Sequence, residues 1–253
     1  MKVSVCGKGG SGKSTVVALL THAAQEKGYS VLVVDSDESN SGLFRTLGLD
    51  GPPVPLMDLL GGKASLKKRM GSPGLFEQSD IRVKDIQYPY IQRRDGRMMV
   101  SIGKILQSLE GCACPMGVLS REFLKKLRLG ENEIALVDME AGVEHFGRGI
   151  DEGIDEVLLV VEPSFESIMI AEKIKGLAAG MKKGAVAVLN KMPSEGVAQK
   201  LEDELKQRGI KVIGTIPNDA DVFNASLEGS VLEKGEALQS AKNILDNLIA
   251  EMA

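Results

Sequence analysis

Short apolar runs alternate with longer stretches of mixed polarity along most of the chain. Val3-Ser4-Val5, Val31 to Val34, Met98 to Ile102, Ile134 to Val137, Val157 to Val161, Ala185 to Leu189 and Lys211 to Ile216 are rich in β-branched residues. Near-continuous runs of this length suit strands buried on both faces of a parallel sheet. Between them Lys13 to Lys27, Ser120 to Leu129, Ser167 to Ala179 and Gly196 to Arg208 read as helices. Gly28, Gly130, Gly180 and Gly209 stand where their C-termini would fall. The rhythm predicts an α/β fold, a doubly wound, mainly parallel sheet flanked by helices.

The segment from Gly48 to Arg97 breaks the rhythm. It holds Gly51-Pro52-Pro53, Lys67-Lys68-Arg69, Gly71-Ser72-Pro73-Gly74 and Arg93-Arg94-Asp95-Gly96, and reads as an excursion of short elements and turns whose basic residues form a solvated face. With 253 residues the chain suffices for one large domain, expected over 1–253. A net charge of -4 offers little to a nucleic-acid backbone or an anionic membrane. No run approaches the length of a membrane span, and the N-terminus lacks the layout of a signal peptide, so a cytoplasmic protein is expected. Three cysteines make no disulfide framework in a chain this long.

Chemistry concentrates at the first strand-to-helix turn. Gly7-Lys8-Gly9-Gly10-Ser11-Gly12-Lys13-Ser14, followed by Thr15, satisfies G-x-x-x-x-G-K-[ST]. In such a loop backbone N–H groups cradle phosphates, Lys13 reaches the β/γ oxygens and the Ser14 hydroxyl binds Mg²⁺. Gly7, Gly9 and Gly12 also satisfy a dinucleotide fingerprint, but a lysine and hydroxyl after the third glycine serve triphosphate and metal. ATP and Mg²⁺ are the expected ligands.

Lys8 within the string K-G-G-x-G-K-[ST] resembles the deviant Walker A ATPases, the group of MinD, ParA and the nitrogenase iron protein. The resemblance implies a MinD-like P-loop fold and a face-to-face homodimer in which Lys8 reaches the partner's nucleotide. It implies that Asp37, in Asp35-Ser36-Asp37, orients the attacking water while Asp35 supports the magnesium shell. Asp138 resembles the Walker B aspartate and Gly142 the glycine that senses the γ-phosphate. Asn190 stands where the family contacts adenine, and Pro217 where its loops pack on the base. Helix-cap or turn roles for Asp37, Asn190 and the Pro217-Asn218-Asp219 loop are the plainer alternatives.

Cys112 and Cys114 lie two apart in Gly111-Cys112-Ala113-Cys114-Pro115, so in an extended segment both thiols face one side. Two sulfurs leave a tetrahedral metal site incomplete, and a two-fold axis would supply the other two from a second chain. The alternative is a pair of incidental loop cysteines. Cys6, on the first strand, reads as a small buried hydrophobe. The cysteine string, with Asp138-Met139-Glu140-Ala141-Gly142-Val143-Glu144-His145 and Gly147-Arg148-Gly149, is similar to the CooC-type nickel-insertion ATPases of carbon monoxide dehydrogenase. That resemblance implies an ATP-hydrolysing maturation factor with a client nickel enzyme, carbon monoxide dehydrogenase or its acetyl-CoA synthase relative. The rival readings are an iron-sulfur reductase like the nitrogenase iron protein and a positioning ATPase of the MinD or ParA kind. The helix from Glu236 to Ala253 carries too little basic charge for a membrane anchor and is expected to dock on the body of the protein.

Overall fold

The structure, a computed structural model, describes residues 1–39, 41–69, 75–76, 78–104, 114–147, 149–232 and 235–252. In chain order the elements are β1 (Lys2–Gly7), α1 (Lys13–Glu26), β2 (Ser30–Asp35), α2 (Leu43–Thr46), α3 (Leu56–Leu59), α4 (Gly62–Arg69), β3 (Ile81–Arg82), β4 (Gln92–Arg94), β5 (Arg97–Ser101) and α5 (Cys114–Lys126). They continue with β6 (Leu127–Arg128), β7 (Glu133–Asp138), α6 (Glu144–Gly147), β8 (Glu156–Val161), α7 (Phe165–Gly180), β9 (Gly184–Met192), α8 (Glu195–Gln207), β10 (Lys211–Pro217), α9 (Ala220–Glu228) and α10 (Glu236–Met252).

Eight strands form one sheet in the order β10-β9-β8-β1-β7-β2-β5-β4, parallel throughout except for the antiparallel β4–β5 pair. Every apolar run named above is a strand of this sheet. Alternate residues of each central strand enter opposite layers, as the pleat requires. Val31 and Val33 of β2, Ile134 and Leu136 of β7, and Leu158 and Val160 of β8 pack with α1 and α10. Leu32 and Val34, Ala135 and Val137, and Leu159 and Val161 pack with α5, α7 and α8. Residues apolar on both parities leave no face for solvent, which is why these runs show no alternation in sequence. From β1 the chain builds toward β2 and β5, and after β7 it crosses to β8, β9 and β10 on the far side of β1. This reversal opens the crevice at the strands' C-terminal ends where open α/β sheets bind ligands.

Several boundaries differ from expectation. The helix expected over Ser120 to Leu129 starts at Cys114 and stops at Lys126, because Leu127–Arg128 leave it to pair with β3. At the end of α7 it is Lys182, φ 58°, that takes the left-handed conformation, while Gly180 remains helical. Part of the excursion belongs to the sheet. Asp95 and Gly96, both at positive φ (49° and 78°), form the two-residue turn of the β4–β5 hairpin. Arg93 is exposed, as expected of the basic cluster, and its Nη2 also donates to the carbonyls of Val83 (2.9 Å) and Ile86 (2.8 Å), tying the excursion to the sheet edge. α10 docks as expected, burying Leu238, Ile244, Leu245 and Leu248. No helix among the described residues is long and apolar enough to cross a membrane.

Candidate functional site: a phosphate loop at the crevice

The loop after β1 is held from below by close packing. A Cβ on Gly7 would lie 2.5 Å from the carbonyl oxygen of Val160 on the neighbouring strand, so the close approach of β1 to β8 requires glycine there. Gly10 and Gly12 take positive φ of 80° and 92°, a conformation glycine enters without strain. Gly9 rests near Ala141, and Ser11 N donates to the Lys8 carbonyl at 3.1 Å, closing the turn. The Ser11 hydroxyl is buried without a hydrogen-bond partner among the described residues. Helix α1 starts on Gly12 with neither a side-chain cap nor an acidic residue in its first turn. Its leading N–H groups and the positive end of its dipole are left for an anion. Lys13 Nζ bends back to the Lys8 carbonyl at 3.4 Å, inside the loop.

The side chains expected at the magnesium converge on the same end. Asp35 and Asp138 are direct neighbours in the β2–β7 register, and Asp138 faces Val5 in the β1–β7 register. Ser14 Oγ donates to Asp138 Oδ2 at 2.6 Å, and both aspartates are essentially inaccessible, at 0% and 1% exposure. Three hard oxygen donors at a phosphate loop fit magnesium, which takes few protein ligands and completes its shell with water and phosphate. Asp35 is pushed up to about 7, first by burial and then by the like charges of Asp138 and Asp37, against the downward pull of Lys104. Asp37 points its Oδ1 at Ser39, accepting from its backbone N (2.9 Å) and hydroxyl (2.7 Å), which is the cap-like alternative. Its own N–H donates to Asp35 Oδ1 at 3.2 Å.

Gly142 sits at φ 92°, and its N–H donates to the Gly7 carbonyl at 3.2 Å, so the segment after β7 lies along the loop. Cys6 is buried as expected, with its Sγ 3.3 Å from His145 Nε2 and 3.6 Å from Ser4 Oγ. Asn190, at the end of β9, donates from Nδ2 to the Ser11 carbonyl at 2.8 Å and braces the loop behind Gly12. Pro217 closes β10, and Asp219 caps α9 by accepting from Asp221 N at 2.8 Å, while its other oxygen accepts from Ala237 N of α10 at 3.0 Å. Thr15 lines, with Ser14, a cavity of about 220 Å³ between α1, α2 and α9.

Sequence reasoning missed four charged partners, Glu162, Glu166 and Lys191 around Lys8 and Lys104 beside Asp35. Lys8 Nζ meets Glu162 Oε1 at 2.8 Å and Glu166 Oε2 at 3.6 Å, both in its own chain. Lys191 reaches the same Glu162 at 3.2 Å and also bonds the Gly10 carbonyl. The Lys8 hydrogen bond draws Glu162 below the usual carboxylate range and raises Lys8 in return. Lys104 bridges Asp35 Oδ2 and the Asp37 carbonyl, each at 2.6 Å. Glu162 and Lys104 follow strand ends at the crevice, and that placement was the only signal available. Cys112 lies outside the described residues, as does the side chain of Cys114, whose backbone opens α5. Among the described residues no group of three or more His, Cys, Asp or Glu side chains could hold a metal ion.

A glycine-rich loop feeding an uncapped helix, with a hydroxyl bonded to a strand-end aspartate, defines a P-loop nucleotide-binding α/β protein. The chain belongs to the CobQ/CobB/MinD/ParA nucleotide binding domain family, whose model matches residues 3–232. It is 38% identical to an ATP-binding protein of Methanocaldococcus jannaschii, covering 98% of this chain and 99% of the relative. To the carbon monoxide dehydrogenase accessory protein CooC of Rhodospirillum rubrum it is 31% identical, over 90% of this chain and 88% of that one. Its fold is that of the Pyrococcus horikoshii MinD protein complexed with Mg-ADP, with a TM-score of 0.72 and 20% identity over 100% of this chain and 98% of that chain.

Proposed function

We propose that this protein is an ATPase that assists nickel insertion into carbon monoxide dehydrogenase or a related anaerobic metalloenzyme, cycling through an ATP- and metal-linked homodimer. The observation carrying the ATPase half is the Ser14–Asp138 hydrogen bond beside Asp35 at the uncapped start of α1. The nickel half is supported by the likeness to the CooC accessory protein over nine-tenths of the chain.

Each residue has a task in this reading. Backbone N–H groups from Gly9 to Thr15 take the phosphates, and Lys13 swings from the Lys8 carbonyl onto the β/γ oxygens. Ser14, Asp138 and Asp35 hold Mg²⁺, which when bound neutralises charge on the phosphates in an in-line displacement. Asp37 leaves Ser39 and orients the attacking water, and Gly142 turns its N–H to the γ-phosphate. Lys8 leaves Glu162 for the nucleotide of the second chain. Asn190 and Pro217 border the adenine. Cys112 and Cys114 from two chains hold one Ni²⁺ or Zn²⁺ as a four-thiolate site.

The test is metal content and molar mass, measured anaerobically for wild type and for Cys112→Ser/Cys114→Ser, with and without ATP. One nickel or zinc per two chains, lost in the variant while ATP hydrolysis persists, is the expected result. Iron and sulfide in its place would move the protein to the reductases. Metal-free protein unaffected by the substitutions would sink the nickel half.

A further inference from the structure

Lys104 is a charge that neither the P-loop motif nor the proposed reaction uses. It lies just past β5, and its Nζ donates to Asp35 Oδ2 and to the Asp37 carbonyl, both at 2.6 Å, with the side chain 16% exposed. Asp35 has its other oxygen occupied as well, since Oδ1 accepts the Asp37 N–H at 3.2 Å. The same turn is held by Ser36, whose N–H donates to the Asp138 carbonyl at 3.0 Å and whose hydroxyl meets that of Ser120 at 3.0 Å. Two carboxylates thus sit side by side on adjacent strands, out of contact with solvent, and an ammonium covers the outward oxygen of one of them.

Buried anions need a compensating charge. We propose that Lys104 is the internal counter-ion of the magnesium site. It holds Asp35 and the Asp37 backbone in place while the site lacks metal, and it gives up Asp35 Oδ2 when Mg²⁺ and nucleotide bind. The inference rests on reading Ser14, Asp35 and Asp138 as the magnesium residues, and it adds a competitor to them. A divalent ion on Ser14 and Asp138 keeps several waters, and those waters need acceptors. Asp35 Oδ2 is the oxygen that supplies one, and it cannot serve the ammonium and the hydrated metal at once. Lys104 is therefore a positioning residue. It reaches Asp37 through the backbone carbonyl and sets how much magnesium the site demands.

The experiment titrates Mg²⁺ into full-length protein with a fluorescent ADP analogue and reads nucleotide affinity. Lys104→Met removes the competing charge, so half-maximal effect is expected at a Mg²⁺ concentration about fivefold lower than for wild type or more. Lys104→Arg keeps the charge and should follow wild type. A lysine that merely props the turn would, on removal, leave the requirement unchanged or raise it, and either result overturns the proposal. Thermal melts supply a second reading. In EDTA Lys104→Met should melt below wild type, and the gap should narrow in saturating Mg²⁺ and ADP; a gap that persists undiminished also overturns it. If Lys104→Met does not fold, Lys104→Gln is titrated in its place. Wild-type affinity with no magnesium dependence would refute the magnesium reading itself, and this inference with it.

Discussion

Asp35 and Glu162 mark the two ways a carboxylate is treated at this crevice. Burial lifts Asp35 to about 7 from 3.8, so the folded, metal-free protein binds that proton more readily than the unfolded chain. The stability this proton confers is fully present below about 3.8 and is lost as pH rises through about 7. In EDTA the melting temperature should therefore fall between about pH 4.5 and pH 7 more steeply for wild type than for Asp35→Asn; parallel slopes would refute the assignment. Glu162 is drawn down by Lys8 and Lys191, so Glu162→Gln removes the charge they share and leaves Lys8 only the longer contact with Glu166 and Lys191 the Gly10 carbonyl. If Lys8 acts across a dimer, that variant should dimerise at lower ATP concentration than wild type in light scattering, and Lys8→Ala should not dimerise with ATP. Motif residues from Gly7 to Thr15 were legible because their spacing is tied to phosphate chemistry. Lys104 and Glu162 were not, because a single charge at a strand end has no period and its partner is about 70 or 150 residues away in sequence.

Among the elements, strands could be read and ends could not. A strand buried on both faces announces itself by composition, as β2, β7 and β8 do. A helix boundary depends on one or two hydrogen bonds, and on whether a tertiary partner captures the next residues, as β3 captures Leu127 and Arg128. Helix α7 shows the local logic. Ser164, extended at φ -147°, accepts from Ser167 N at 3.2 Å, and the Ser167 hydroxyl accepts from Glu162 N at 3.1 Å. Ser164→Ala should cost about 1 kcal/mol in chemical denaturation. Because the cap also sets the strand-to-helix corner carrying Glu162 and Glu166, the Lys8 contact should loosen with it. An unchanged dimerisation threshold in Ser164→Ala would separate the cap from the lysine.

At the scale of the molecule, the sheet order follows from two halves grown on either side of β1, and the alternation of apolar residues between two helical layers makes it self-consistent. The excursion was illegible for a corresponding reason. Its short elements are fixed by side chains such as Arg93 reaching the carbonyls of Val83 and Ile86, and no periodic pattern records such contacts. Truncating Phe123, buried to 1% in the layer of α5 and α7, should cost about 3–5 kcal/mol as Phe123→Ala. Mg-ADP at about 100 times its dissociation constant contributes about 2.7 kcal/mol, and so should raise the melting temperature by roughly 5–10 °C. The Gly142 N–H is already bonded to the Gly7 carbonyl. A third phosphate arriving there would swap one hydrogen bond for another, an exchange whose net free energy is on the order of 1 kcal/mol. From that contact alone, ATP and ADP would differ in affinity by only about fivefold. If Gly142 is the γ-phosphate contact and the protein hydrolyses ATP as proposed, it would tell full from spent fuel mainly by which way its backbone is folded, a clock that reads shape in preference to a balance that weighs binding.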